Sequence, residues 1–90
     1  MHCRNYVVQY IIEMENPTAS FKLHSQFKGN YTNLSMQKYS SHVVEKCLVH
    51  LAEIKSRIVQ ELLSFPHFEQ LLQDLYGNYV VQRALGVTKV

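Results

Sequence analysis

The pentapeptide Asn5-Tyr6-Val7-Val8-Gln9 recurs unchanged at Asn78-Tyr79-Val80-Val81-Gln82, and between the two stands a close variant, Ser41-His42-Val43-Val44-Glu45. The copies begin 36 and then 37 residues apart. A fixed period of that length is the mark of stacked structural repeats, each too small to bury a hydrophobic face without its neighbours. The chain reads as pieces of three such repeats.

Within each copy the order is a polar residue, a flat ring, two valines, then an amide or a carboxylate. On a helix the first and fifth residues stand one above the other, the ring lies beside the first, and the valines turn to the opposite side. One side packs and the other presents a pair of polar groups. Apolar spacing extends the pattern along the chain. A helix from Asn5 to about Met14 buries Val7, Val8, Ile11 and Ile12 and stops before Asn16-Pro17. Thr18 or Ser20 caps the next, which contains Phe21, Leu23 and Phe27 and closes at Gly29-Asn30. A short helix over Thr32–Lys38 leads to a central one over Ser41–Leu51, with Ser41 as its N-cap and Val43, Val44, Cys47, Leu48 and Leu51 packed. Glu53–Leu63 follows, with Ile54, Ile58, Val59, Leu62 and Leu63 at helical spacing. Pro66 opens a helix with Phe68, Leu71, Leu72 and Leu75, and Asn78–Leu85 is the last.

Ninety residues, 47% of them hydrophobic, suffice for one small core. The formal net charge is only +2, so charge by itself does not point to nucleic acid. Cys3 and Cys47 stand far apart, which argues against a zinc site or a disulfide framework and for a reduced, intracellular setting. No apolar run is long enough to span a bilayer, and the start lacks the features of a signal peptide. Without that signal the sequons at Asn30 and Asn33 read as chance. Catalysis finds little support: Cys47 and His50 share a helix, but Cys47 falls on the packing stripe with no third group to orient the pair. His24, His50 and His67 lack metal-ligand spacing, and there is no glycine-rich phosphate loop.

The polar pairs have a definite chemistry. The amide of Gln9 or Gln82 carries a donor and an acceptor, matching N3–H and O4 of uracil, and Asn5 or Asn78 one turn earlier can address O2. Ionised Glu45 only accepts, which suits the adjacent N1–H and N2–H of guanine, and the small Ser41 leaves room for a purine. Tyr6, His42 and Tyr79 supply faces for base stacking. Lys38, Lys46 and Arg83 lie beside these helices, where phosphate contact and simple solvation both stay open.

With three such copies in register, the chain resembles the PUF (Pumilio) family of RNA-binding proteins, in which one helical repeat addresses one base. The resemblance covers nearly the whole chain. It implies an all-α, right-handed α-solenoid of three-helix repeats, approximately 1–29 without its first helix, 30–64 complete, and 65–90 truncated. It implies a single-stranded RNA partner running antiparallel to the repeats. The order is then uracil at Asn78 and Gln82, guanine at Ser41 and Glu45, and uracil at Asn5 and Gln9, a UGU core of the kind found in messenger 3′ untranslated regions. Further implications are post-transcriptional regulation in the cytoplasm with repressor or deadenylation factors as partners, no cofactor or metal, and neither membrane nor DNA binding.

The departures from the family pattern set a second group of expectations. Cys3 stands where Tyr39 and Tyr76 precede the other readers, and the chain lacks the repeats that would read the bases 3′ of UGU. A solenoid without caps exposes apolar faces at both ends, so marginal stability, self-association and weak RNA affinity are expected of such a fragment. A helical-repeat scaffold for protein partners, distinguished by indifference to RNA sequence, is one alternative, and a truncated fragment that binds neither partner is another.

Overall fold

The computed structural model of the chain describes residues 2–88, with side chains from residue 7 onward. The described residues form seven helices and no strand: α1 His2–Glu13, α2 Pro17–Phe27, α3 Tyr31–Ser35, α4 Ser40–His50, α5 Ala52–Leu63, α6 Phe68–Gln73 and α7 Gly77–Val87. α4 is the hub. It packs against α1, α3, α5 and α7, and Val43, Val44, Cys47, Leu48 and Leu51 along it are all buried. Helical spacing turns Val43, Val44, Cys47 and Leu51 away from Glu45, so packing of the valine face is what leaves the fifth position of the repeat pointing outward.

The caps differ from those expected. The α1–α2 turn passes through Glu15 in the left-handed region (φ 57°). Asn16, not Thr18 or Ser20, then caps α2: its Oδ1 accepts from the N–H groups of Thr18 and Ala19 at 2.9 and 3.2 Å, and Pro17 fills the first helical position. Ser20 instead donates its hydroxyl to the Asn16 carbonyl at 2.9 Å. Nor is Ser41 the cap of α4. The helix starts a residue earlier, with Tyr39 at the N-cap position, and Ser41 Oγ donates to the Lys38 carbonyl at 3.2 Å. α3 is shorter than its apolar pattern suggested, and Pro66 lies in the turn ahead of α6 rather than in its first turn.

The junction of α2 and α3 is closed from α5. Glu61 of α5 accepts from Gly29 N–H and Tyr31 N–H, both at 2.8 Å, and so closes the junction of α2 and α3. Beneath it Tyr31 is buried, with its hydroxyl 2.9 Å from His24 Nδ1. Burial pushes the Tyr31 phenol up and holds His24 below the ordinary histidine range, so a neutral His24 sits on a neutral tyrosine. At the other end, Gly77 lets α7 close on α6: a Cβ there would lie 2.7 Å from Leu71 Cδ1 and 2.8 Å from Leu71 O. The equivalent Ser40 instead donates its hydroxyl to Leu34 O at 2.8 Å.

Coverage falls off away from α4. Val7, the counterpart of buried Val43 and Val80, is 58% exposed, and Leu85 is 68% exposed where its counterpart Leu48 is 1%. α5 packs on α4 beside Leu48, whereas no described helix does so for Leu85. Leu63, Leu72 and Leu75, placed on packing stripes by spacing, are exposed as well. Leu63, Leu72 and Leu85 instead border an apolar groove of about 330 Å³ between α5, α6 and α7, floored by Leu62, Val81 and Ala84.

Candidate nucleic-acid interface

Because α4 packs against both α1 and α7, the three copies of the pentapeptide lie on a row of helices with α4 in the middle. Two shallow depressions follow the surface they share. One of about 360 Å³ is lined by Gln9, His42, Glu45, Lys46, Val49, His50 and Arg83. Another of about 270 Å³ is lined by Glu45, Tyr79, Gln82 and Arg83. Glu45 and Arg83 border both, so the surface runs from Gln9 through Glu45 to Gln82 without a break.

On α7 the polar pair is already organised. Gln82 Nε2 donates to Asn78 Oδ1 at 3.0 Å, one helical turn apart. This bond does not use the Gln82 carbonyl, its second amide hydrogen or the Asn78 amide hydrogens, which remain as donors and acceptors for another partner. Tyr79 beside them is exposed.

On α4 the pair is asymmetric. Ser41 is only 2% exposed and its hydroxyl is taken up by Lys38 O, so its contribution to the surface is its small size. Glu45 carries the polar chemistry. Its Oε1 lies 3.5 Å from Arg83 Nε and its Oε2 3.7 Å from His42 Nδ1, with the side chain 20% exposed. His42 is exposed beside it.

On α1, Gln9 is half-buried and lines the larger depression. The side chains of Asn5 and Tyr6, the remaining members of the first copy, lie outside the described residues, as does that of Cys3.

Each of the three cations beside these helices, for which phosphate contact and solvation were both open, has a partner on the protein. Lys38 Nζ stands 5.3 Å from the centre of the Tyr39 ring, Lys46 Nζ is 2.7 Å from Glu13 Oε2, and Arg83 rests on Glu45. The Lys46 ammonium holds the Glu13 carboxyl below the usual carboxylate range through its hydrogen bond and its charge. Glu13 was not singled out by its sequence. Its position one turn beyond Gln9 on the same face of α1 is the signal that places a carboxylate next to α4. His50 Nδ1 adds a 2.9 Å contact to Glu15 Oε2 across the same two segments.

Cys47 is fully buried and its thiol is pushed up to about 12 by that burial, so it is neither nucleophile nor ligand at neutral pH. Among the described residues no group of three His, Cys, Asp or Glu side chains converges on a metal-sized site. None of the described helices is long and apolar enough to cross a membrane.

The sequence profile of the Pumilio-family RNA binding repeat matches residues 30–63 and 67–87. The chain is 55% identical over 85 residues to the putative pumilio homolog 7, chloroplastic, of Arabidopsis thaliana, a match covering 94% of this chain and 13% of that protein. It is 51% identical over 87 residues to Arabidopsis pumilio homolog 12, covering 94% of this chain and 14% of that protein. With a Pumilio domain-containing protein of Schizosaccharomyces pombe it shares 43% identity over 87 residues, 96% of this chain and 13% of the relative. The chain thus spans a small part of the length of these relatives. No solved structure matches it significantly.

Proposed function

The chain belongs to the Pumilio family of RNA-binding repeat proteins, and from this we propose that it binds single-stranded RNA along the surface shared by α1, α4 and α7, reading the triplet UGU. The observation that carries the reading is the chemical difference between neighbouring fifth positions. Gln9 and Gln82 are amides and Glu45 is a carboxylate, and all three line one continuous surface. The Asn78–Gln82 bond supports uracil at α7, because it holds the two amides together and leaves unused both donors, for O2 and O4, and an acceptor, for N3–H. Glu45 as acceptor supports guanine at α4, with buried Ser41 leaving space for the purine. His42 and Tyr79, both exposed, offer faces for stacking, each worth about 1 to 3 kcal/mol per base.

On this reading the helices are three-helix repeats of a right-handed α-solenoid, divided near 1–29, 30–64 and 65–90, and the RNA runs antiparallel to them. Messenger 3′ untranslated regions are the targets, translation or message stability the output, and repressor or deadenylation factors the protein partners. The cytoplasm is the compartment that goes with that output. Fluorescence anisotropy with short RNAs containing UGU or UCU, at matched salt, is the direct test. Tighter binding to UGU supports base reading by these helices; equal binding by the folded protein favours a protein-binding scaffold instead.

A further inference from the structure

We propose that Arg83 is a positioning residue for guanine recognition: from α7 it holds the Glu45 carboxylate of α4, so that the middle base is read by two neighbouring repeats together. The inference rests on the RNA-reading role proposed above and adds to it a residue outside the first-and-fifth pairs.

The geometry supplies the argument. Glu45 is the one carboxylate among the fifth positions Gln9, Glu45 and Gln82. A guanine edge needs both of its oxygens, held coplanar with the base, to meet N1–H and N2–H together. A lone glutamate would have three side-chain torsions to fix, and its charge would face incoming phosphates of the same sign. Arg83 Nε at 3.5 Å from Oε1 addresses both costs, since its permanent charge offsets that of the carboxylate and draws Oε1 toward α7. A carboxylate has about four lone-pair sites, so one flank of Oε1 can face Arg83 while both oxygens keep a site for guanine.

The neighbouring interface supplies an internal comparison. Lys46 occupies on α4 the position that Arg83 occupies on α7, directly after the fifth residue. Its ammonium does not rest on the preceding reader, which is the neutral Gln9, but on Glu13 one turn further along α1, at 2.7 Å. The cation meets the reader only where the reader is a carboxylate. Lys46 therefore ties helices together, and Arg83 additionally sets the reader.

The test compares Arg83→Met, Arg83→Lys and Lys46→Met in the full chain, by anisotropy against RNAs differing only at the middle base, UGU, UAU and UUU. Arg83→Met is expected to lower the preference for guanine by about 5-fold or more, near the lower end of a bidentate base contact. Arg83→Lys should restore part of it, and Lys46→Met should weaken all three RNAs by the same factor. An Arg83→Met variant that weakens all three RNAs equally would make Arg83 a phosphate contact and overturn the proposal. A readout without RNA stands beside it: the Arg83 Nε–H resonance should move in Glu45→Gln, and an unmoved resonance would mean the contact is absent. Wild-type protein with no preference among the three RNAs would sink the RNA-reading role itself, and this inference with it.

Discussion

Replacing Glu61 probes how the repeat units are held to one another. Its carboxylate accepts two backbone N–H groups at 2.8 Å, from Gly29 and Tyr31. Gly29 is exposed, so water takes over that bond when the carboxylate goes, at a cost of about 0.5 to 1 kcal/mol. The Tyr31 N–H is partly buried above the Tyr31–His24 pair, and losing its charged acceptor costs about 1.5 to 3 kcal/mol. Glu61→Ala should therefore destabilise the protein by about 2 to 4 kcal/mol, a large share of the roughly 5 to 15 kcal/mol that holds a small domain folded. Glu61→Gln keeps one acceptor oxygen and should lose about half as much. Urea titration followed by far-ultraviolet circular dichroism reads both, as a shift of midpoint at unchanged slope. A loss below about 0.5 kcal/mol for Glu61→Ala would refute the clamp, because it would mean water serves both N–H groups as well as the carboxylate does.

Leu48→Ala, at the buried centre of α4, should cost about 2 to 5 kcal/mol, whereas Leu85→Ala at the equivalent exposed position should stay within about 0.5 kcal/mol; thermal melts of the two variants compare them directly. His24 is held below the usual histidine range first by burial and then by the charges of Arg57 and Lys28, against the opposing pull of Glu61. Below the unfolded value of about 6.5 the unfolded chain therefore binds a proton that the folded one resists, so stability falls as pH drops through that value. His24→Gln should flatten this part of the pH–stability curve measured by urea titration, and an unchanged slope would exclude His24 as its source. Glu45→Gln, which leaves buried Ser41 untouched, should move the preferred middle base from guanine toward uracil with a loss of about 1 to 3 kcal/mol on UGU RNA. Because its ion-pair partner Arg83 is mostly exposed, the same change should alter stability by less than about 1 kcal/mol, so a large stability loss would point to a structural role for Glu45.

Periodicity in the residues determined the helices and the buried face of α4. Val43, Val44, Cys47, Leu48 and Leu51 recur at three- and four-residue steps, and a helix has only one way to bury such a set. The same spacing sends Glu45 and Gln82 to the opposite side, which is why their chemistry could be read without coordinates. Tertiary structure decided what spacing along one helix cannot carry. Val7 and Leu85 repeat the pattern of buried residues yet stay exposed, because burial depends on which helix lies alongside. Ser41 has the composition of a cap but is turned under Lys38, and Asn16 takes the capping role at α2 because its carboxamide reaches two N–H groups at once. The contacts of Glu61 with Gly29 and Tyr31, of Lys46 with Glu13 and of Arg83 with Glu45 span 30 to 38 residues. Such partners are chosen by how the repeats stack, since a side chain several ångströms long meets whichever group the neighbouring helix brings within its reach.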